Sequence, residues 1–378
     1  MIFVGDFIPQ KTQPCVPDFG DQWIVANLEG PVCEDGLKKS VKTGIHLHSR
    51  AFDVQGKWAF ALANNHLMDY GYEGLKQTRE FLSSKRWPCA GAGVNREDAR
   101  QQMVLEECGK RIAVFSCCEH QFGIATDSDP GVAGMGLWLI PAVRKAKVEG
   151  ADFVVVSCHC ASEFSTMVSP SLQEFYHALV DVGADVIHGH HSHVPQGWEE
   201  YKGRPIFYGL GNFVVDPKDW NSNPHFQWSL IARVDFSGST IKWEVTPHGQ
   251  LPDNVSDYIS RANLGFRDPT KMLSLWQGEC VRLYHKIYEQ NLRAASVESV
   301  RMSVRARARK IVFALSDCLR ALIGRELPTA RSRYYARNLG NYFRCESHRD
   351  VISTALEVLT DKDTNPQVRL ICERDLGK

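Results

Sequence analysis

Four histidines follow one short apolar strand, because residues 185–193 read DVIHGHHSH. Val186 and Ile187 are β-branched and apolar, which is typical of a buried strand, and the polar run begins at the next residue. Four of the chain's 14 histidines fall within residues 188–193. An adventitious chelating cluster is the alternative, but the strand-end position favours a ligand site.

Four more apolar strands run into polar side chains in the same way. Asp6 follows Ile2–Val4, and Asn27 and Glu29 lie at the end of Trp23–Leu28. After Trp58–Leu62 come Asn64, Asn65, His66 and Asp69, and after Phe153–Cys158 come His159 and Glu163. Open α/β sheets bind ligands at the carboxyl ends of their strands. We therefore expect all five clusters to converge on one crevice. Taken singly, Asp6 could cap a helix and His159 could be an ordinary core histidine.

Strands and amphipathic helices alternate up to about residue 250, which predicts an α/β layered fold. Helices are expected over Tyr72–Ser84, Ile140–Glu149 and Ser171–Val182, further strands over Ile112–Cys117 and Pro205–Tyr208, and a late hairpin over Ser229–Phe236 and Ile241–Pro247. Beyond residue 257 the pattern is helical, over Lys271–Gln290, Val297–Leu322, Ala330–Phe343 and His348–Thr360. The sequence therefore predicts a first domain over residues 1–250 and a helical C-terminal module over 257–378.

Charge separates the two parts, although the whole chain has 44 basic and 44 acidic residues. Residues 301–349 hold twelve basic and three acidic residues, which leaves residues 1–300 acidic. A basic amphipathic helix such as Val297–Leu322 is typical of contact with an anionic polymer, a partner protein or an anionic membrane surface. Packing of this helix on the α/β domain is the alternative.

Several classes of protein are disfavoured by composition and motif. The 43% hydrophobic and 23% charged residues exclude wholesale disorder, and the 12 cysteines form no Cys-x-x-Cys pair. The chain contains no nucleotide phosphate loop, no dinucleotide-binding turn and no Gly-x-Ser-x-Gly elbow, so it shows no ATP-driven ligase of its own. Met1 leads at once into a strand, without a signal peptide or membrane span, which predicts a cytoplasmic protein.

The converging residue types indicate metal chemistry. Imidazole and carboxylate groups bind zinc, manganese and iron, and seven or so such ligands exceed the needs of one ion. They suit two divalent ions about 3.5–4 Å apart that share a bridging carboxylate and a bridging hydroxide.

The chain resembles the bacterial capsule-synthesis protein family (CapA, or PgsA, of poly-γ-glutamate synthesis), a branch of the calcineurin-like metallophosphoesterases. The matching segments are Gly5-Asp6, Asn27-Leu28-Glu29, Asn64-Asn65-His66 with Asp69 and Gly71, His159 with Glu163, Gly189–Gln196, Tyr201–Tyr208, Gly211-Asn212-Phe213 and Asp216. The resemblance covers residues 1–250. It implies a layered metallophosphoesterase-like β-sandwich flanked by helices, to which this chain adds an all-helical C-terminal extension.

The resemblance also implies roles for individual residues. The metal ligands would be Asp6, Glu29 as a bridging carboxylate, Asn65, His159, His191 and His193, with His66 as general acid held by Asp69. Further candidates for supporting or substrate contacts are Asn27, His190, Glu163 and Asn212, and His190 is the alternative to His191 as ligand. The chain departs from the family at Cys160-Ala161 and Phe7-Ile8-Pro9, which puts the substrate more in doubt than the metal.

The predicted function is that of a two-metal hydrolase with manganese, zinc or iron. A metal-bridged hydroxide would attack a phosphoester or a γ-glutamyl-type amide, in an anionic small molecule or polymer, while His66 protonates the leaving group. One alternative is a non-catalytic subunit or scaffold that works with a biosynthetic partner protein in making a polyglutamate or another amide. Another is a phosphodiesterase acting on nucleic acid, which the acidic character of residues 1–300 disfavours.

Overall fold

The computed structural model describes residues 1–42, 44–215, 224–238, 240–285 and 345–360. The chain divides into two compact units, formed by residues 1–40 with 46–276 and by residues 41–45 with 277–378. The first unit therefore continues past the predicted boundary near residue 250. The predicted helices Val297–Leu322 and Ala330–Phe343 lie outside the described residues, as does Asp216.

The described part of the chain forms fifteen strands and eight helices. The strands are β1 Ile2–Phe7, β2 Trp23–Leu28, β3 Lys57–Ala61, β4 Cys89–Ala90, β5 Ala92–Gly93, β6 Met103–Glu107, β7 Lys110–Cys118, β8 Gly131–Val132, β9 Phe153–His159, β10 Val186–His190, β11 Trp198–Tyr201, β12 Arg204–Phe207, β13 Asn212–Val214, β14 Trp228–Asp235 and β15 Lys242–Gly249. The helices are α1 Gly71–Ser84, α2 Arg96–Ala99, α3 Leu139–Val148, α4 Pro170–Asp181, α5 Val255–Ala262, α6 Leu264–Arg267, α7 Pro269–Leu283 and α8 Glu346–Thr360. None of these helices is long and apolar enough to span a membrane.

Two mixed sheets form the first unit, together with a small pairing of β5 with β8. The first large sheet has the order β15-β14-β1-β2-β3-β4, with β13 also paired to β1, and the second has the order β11-β12-β10-β9-β7-β6. Strands β1, β2, β3 and β4 run parallel, as do β7, β9, β10 and β12. The carboxyl ends of the central strands in both sheets are thus available to build one site.

Alternation along the strands explains why the sheets pack face to face with helices outside them. On β1, Phe3 packs in a core shared with the second sheet, whereas Ile2 and Val4 pack on the other face with residues of α1. On β9, Val155 belongs to the shared core, and its neighbours Val154 and Val156 pack beneath α3 and α4. This period of two confirms the predicted α/β sandwich flanked by helices.

Helices α5 and α6 belong to the first unit, although they lie beyond the domain end predicted at residue 250. The Tyr258 hydroxyl donates to the carbonyl oxygen of Pro195 at 2.7 Å, and the backbone N–H of Trp198 donates to Asn263 Oδ1 at 2.8 Å. Phe266 stacks on Tyr208 with ring centroids 4.7 Å apart. The proposed separate helical module starting at residue 257 stays a prediction.

The shared core predicts a large cost for truncating Phe207, which is fully buried on β12 near Phe3 and Trp243. Phe207→Ala should lower the free energy of unfolding by about 3–5 kcal/mol, because it leaves a cavity between the sheets. Denaturant unfolding followed by tryptophan fluorescence measures this. Val148→Ala is the control, because Val148 is 87% exposed and should change stability by less than about 0.5 kcal/mol. Similar losses in both variants would contradict the assigned core.

Candidate metal centre

Close backbone approach brings the strand ends together. A side chain at Gly5 would place its Cβ only 1.8 Å from the Gly211 carbonyl oxygen, and one at Gly189 would place its Cβ 2.0 Å from that of Tyr208. Both positions therefore require glycine, since no Cβ fits there. These glycines let the turn before β13 close on β1 and let Tyr208, which follows β12, lie against β10.

The buried carboxylate of Glu29 lies at the centre of the site. Its exposed fraction is 0%, and neither oxygen has a hydrogen-bond partner among the described residues. Burial raises the pKa of Glu29 to about 8, because the ionised form loses its hydration. Donor atoms of Glu29, His191 and His193 lie within 4.8 Å of one another, which makes this group a candidate metal site.

Asp6 lies against His190 and His193, and His193 also approaches Glu29. The Asp6 carboxylate lies 3.2 Å from His190 Nδ1 and 3.4 Å from His193 Nδ1, and His193 Nε2 lies 3.6 Å from Glu29 Oε1. Burial alone would raise the pKa of Asp6, but His190 and His193 outweigh it and hold the pKa well below its usual range. Asp6 is therefore ionised at neutral pH and suited to a cation.

His159 lies near the same Glu29 oxygen as His193, and Asn65 contacts His159. His159 Nε2 is 3.8 Å from Glu29 Oε1 and 3.1 Å from Asn65 Oδ1. Burial holds the pKa of His159 well below its usual value, so the ring is neutral and can offer a lone pair. His159 and Asn65 thus add a nitrogen and an oxygen donor near Glu29.

His66 and Asp69 form a pair next to the donors. His66 Nδ1 lies 2.8 Å from Asp69 Oδ2, and the same oxygen accepts the backbone N–H of Leu47 at 2.7 Å. His66 Nε2 lies 4.0 Å from Glu29 Oε1. The carboxylate of Asp69 orients the ring, so that Nε2 is the nitrogen directed toward the donors.

The remaining predicted residues lie next to these side chains. Asn27 Nδ2 donates to Asp6 Oδ1 at 2.8 Å and lies 3.1 Å from His159 Nδ1. Asn212 Oδ1 lies 3.0 Å from His193 Nδ1, and Glu163 Oε1 lies 3.9 Å from His191 Nε2. The structure thus brings all twelve predicted site residues together, and their individual roles stay predictions.

Two further polar residues contribute to the site. Glu119 was not named from the sequence, and Asn64 was named in a strand-end cluster but given no role. Glu119 is 1% exposed and its Oε1 lies 2.8 Å from His191 Nε2. The signal was its position directly after β7, where it forms a sixth polar strand end. Asn64 is fully buried and holds the turn that carries Asn65 and His66. His188, by contrast, joins the two sheets through Nε2, 2.9 Å from the Val4 carbonyl oxygen.

The backbone at the end of β10 is strained. His191 has φ of 84° and His193 has φ of 57°, in the left-handed region that disfavours side chains with a Cβ. Each such residue costs about 1–3 kcal/mol and is typical of functional sites. In this backbone conformation, donor atoms of His191 and His193 both lie within 4.8 Å of a Glu29 carboxylate oxygen.

Asn64 gives a stability prediction for this site. Its Oδ1 accepts the N–H of His66 at 3.1 Å and of Leu67 at 2.9 Å, and its Nδ2 donates to the Leu28 carbonyl oxygen at 2.8 Å. Asn64→Ala should lower the free energy of unfolding by at least about 1–3 kcal/mol, because buried backbone groups lose their partners. Asn254→Ala, at an exposed asparagine that makes no capping hydrogen bond, is the control for denaturant unfolding. Equal effects would contradict the role of Asn64.

Comparison with known proteins adds a family match. A family model described as "Bacterial capsule synthesis protein PGA_cap" matches residues 18–217. The chain is 34% identical over 224 residues to the capsule biosynthesis protein CapA of Bacillus anthracis, covering 56% of this chain and 54% of that protein. It is 33% identical over 279 residues to the PGA biosynthesis protein CapA of Bacillus subtilis (strain 168), covering 71% and 72%. The match thus spans about half the length of the Bacillus anthracis protein and 72% of the length of the Bacillus subtilis protein.

Solved structures share less with the chain. A calcineurin-like phosphoesterase, YfkN from Bacillus subtilis, is 14% identical with a TM-score of 0.33, covering 56% of this chain and 70% of that one. The NAD nucleotidase of Haemophilus influenzae is 16% identical with a TM-score of 0.33, covering 51% and 35%. At these TM-scores the likeness decides neither fold nor activity.

Proposed function

The chain belongs to the bacterial capsule synthesis protein PGA_cap family, and from its site we propose that it is a metal-dependent hydrolase of a phosphoester or a γ-glutamyl-type amide. The observation that carries this proposal is Glu29, a buried carboxylate without a hydrogen-bond partner in the described residues. Ring nitrogens of His193, His159 and His66 lie 3.6, 3.8 and 4.0 Å from its Oε1.

The donor set fits divalent metal ions. Around Glu29, the side chains of Asp6 and Asn65 offer oxygen donors, and those of His159, His190, His191 and His193 offer ring nitrogens. Nitrogen and oxygen donors of this kind suit manganese, zinc or iron. Bound cations would supply Lewis-acid polarisation of the scissile group and a reactive nucleophile at neutral pH.

His66 is the residue we propose as general acid. Asp69 accepts from its Nδ1 and stabilises the protonated ring, which leaves the proton on Nε2 available for a departing oxygen or nitrogen. Its 4.0 Å separation from Glu29 places Nε2 next to the donors but outside hydrogen-bond distance of that carboxylate. The pairing of Nδ1 with Asp69 is what supports the role of proton donor.

The names of the relatives suggest which molecules to test as substrates. One relative is named a PGA biosynthesis protein, and we therefore propose a γ-glutamyl amide or another anionic molecule as substrate, with a biosynthetic partner protein supplying activation where a bond is made. Recruitment by the basic segment 301–349 to an anionic polymer or membrane surface also remains a proposal.

A panel of substrates tests the proposed class of reaction. Purified protein should hydrolyse either a phosphodiester reporter or γ-glutamyl peptides with manganese, and lose this activity on chelation. His177→Asn is a control, because His177, on α4, pairs with Glu199 of β11 and not with any donor of the site. Absence of turnover on every substrate, with metal bound, would support the scaffold alternative. Cleavage of single-stranded nucleic acid alone would support the nuclease alternative.

His66→Asn tests the general acid. Turnover should fall by about 10²–10⁴-fold for a substrate with a poor leaving group, the usual contribution of general acid–base catalysis. The loss should be much smaller for a substrate that releases nitrophenolate, because this leaving group needs no proton. The metal content, measured by elemental analysis, should be unchanged. Equal losses for both leaving groups, or loss of metal, would make His66 a ligand instead.

A further inference from the structure

Glu119 joins three neighbouring strands of the second sheet. It directly follows β7, and its backbone N–H donates to the carbonyl oxygen of His159 at 3.2 Å. Strand β9 lies between β7 and β10. The Glu119 side chain spans this gap, since its Oε1 lies 2.8 Å from Nε2 of His191 beyond β10. A buried carboxylate is thus fixed at both backbone and side chain.

The ring of His191 is held by its surroundings. It is fully buried, its centroid lies 4.4 Å from that of His159, and its backbone has φ of 84°. Its Nδ1 is buried and has no hydrogen-bond partner among the described residues. A neutral imidazole carries one N–H, so a carboxylate that accepts from Nε2 leaves the lone pair on Nδ1.

We propose that Glu119 is a positioning residue that accepts the Nε2–H of His191 and so presents Nδ1 to a metal ion. This inference rests on the metal centre of the proposed function. Histidine ligands commonly donate their second ring N–H to a carboxylate, which fixes the tautomer and makes the coordinating nitrogen more basic. Glu119 itself does not belong to the donor group of Glu29, His191 and His193.

Glu163 is the carboxylate that distinguishes positioning from general negative charge. Its Oε1 lies 3.9 Å from the same Nε2, beyond hydrogen-bond distance, and its side chain is 26% exposed. An electrostatic effect would involve both glutamates, whereas control of the tautomer requires only Glu119. The same substitution at the two positions therefore separates the two explanations.

The experiment compares Glu119→Gln with Glu163→Gln in the full chain. Protein freed of metal by chelation is titrated with Mn²⁺ against a fluorescent competitor, and its melting temperature is recorded. Glu119→Gln should weaken Mn²⁺ binding by about 10–100-fold, because an uncharged amide can pair with either tautomer of His191, as acceptor or as donor. The stoichiometry and the metal-free melting temperature should be unchanged, since the amide fills the same space. Glu163→Gln should change the affinity far less.

A second measurement reads the tautomer directly. Long-range ¹H–¹⁵N spectra of metal-free protein should show His191 protonated at Nε2, with the signal assigned by its loss in His191→Asn. In Glu119→Ala the ring should populate both tautomers.

Each outcome has a distinct meaning. Wild-type protein that binds no Mn²⁺ would overturn the metal centre together with this inference. Wild-type binding with no weakening in Glu119→Gln would overturn the role of Glu119 while the centre stands. Loss of a whole ion in Glu119→Gln would make Glu119 a ligand, and a Nδ1-protonated His191 would exclude the proposed tautomer.

Discussion

A carboxylate that is fully buried and accepts no hydrogen bond within the described residues is costly, and Glu29 is such a group. Its recorded neighbours are imidazole rings, and among the described residues no lysine or arginine forms an ion pair with it. The raised pKa of Glu29 reflects the same cost. A cation would remove this penalty and use the donors that already face the carboxylate.

The sandwich is what makes such a group possible. Glu29 follows β2 in the first sheet, while His159 and His191 come from β9 and the turn after β10 in the second. Neither sheet alone holds the complete donor set. Glycines at positions 5 and 189 permit the close backbone contacts, and the strained backbone at His191 and His193 turns their rings inward. Stability from the core between the sheets thus offsets local strain at the site.

Much of this arrangement was predictable from the sequence because two signals were strong. Short continuous runs of apolar, largely β-branched or aromatic residues marked β1, β2, β9 and β10, and polar residues directly after the strands marked the site. The residue pattern alone left the choice between His190 and His191 open, the family resemblance favoured His191, and which of the two binds a metal stays a prediction. The positive φ of His191 places its ring in the donor group with Glu29 and His193, whereas His190 lies against Asp6.

Other features left weak signals in the sequence. Glu119 is one acid after a strand, with no neighbouring motif, and only the distance across β9 to His191 reveals its contact. The edge strands β6 and β11 are short and each carries two adjacent glutamates, so they lack the apolar runs that marked the central strands. Helix α5 is amphipathic, but its pattern does not say which surface its apolar side covers.

The most direct test is an anomalous-difference map from crystals of the full chain grown with Mn²⁺. The account predicts two peaks about 3.5–4 Å apart, as in two-metal sites, with Glu29 coordinating both, Asp6 and His193 at one, and Asn65, His159 and His191 at the other. Absence of any peak beside Glu29 would contradict the account, as would a single ion that leaves either group of donors unused.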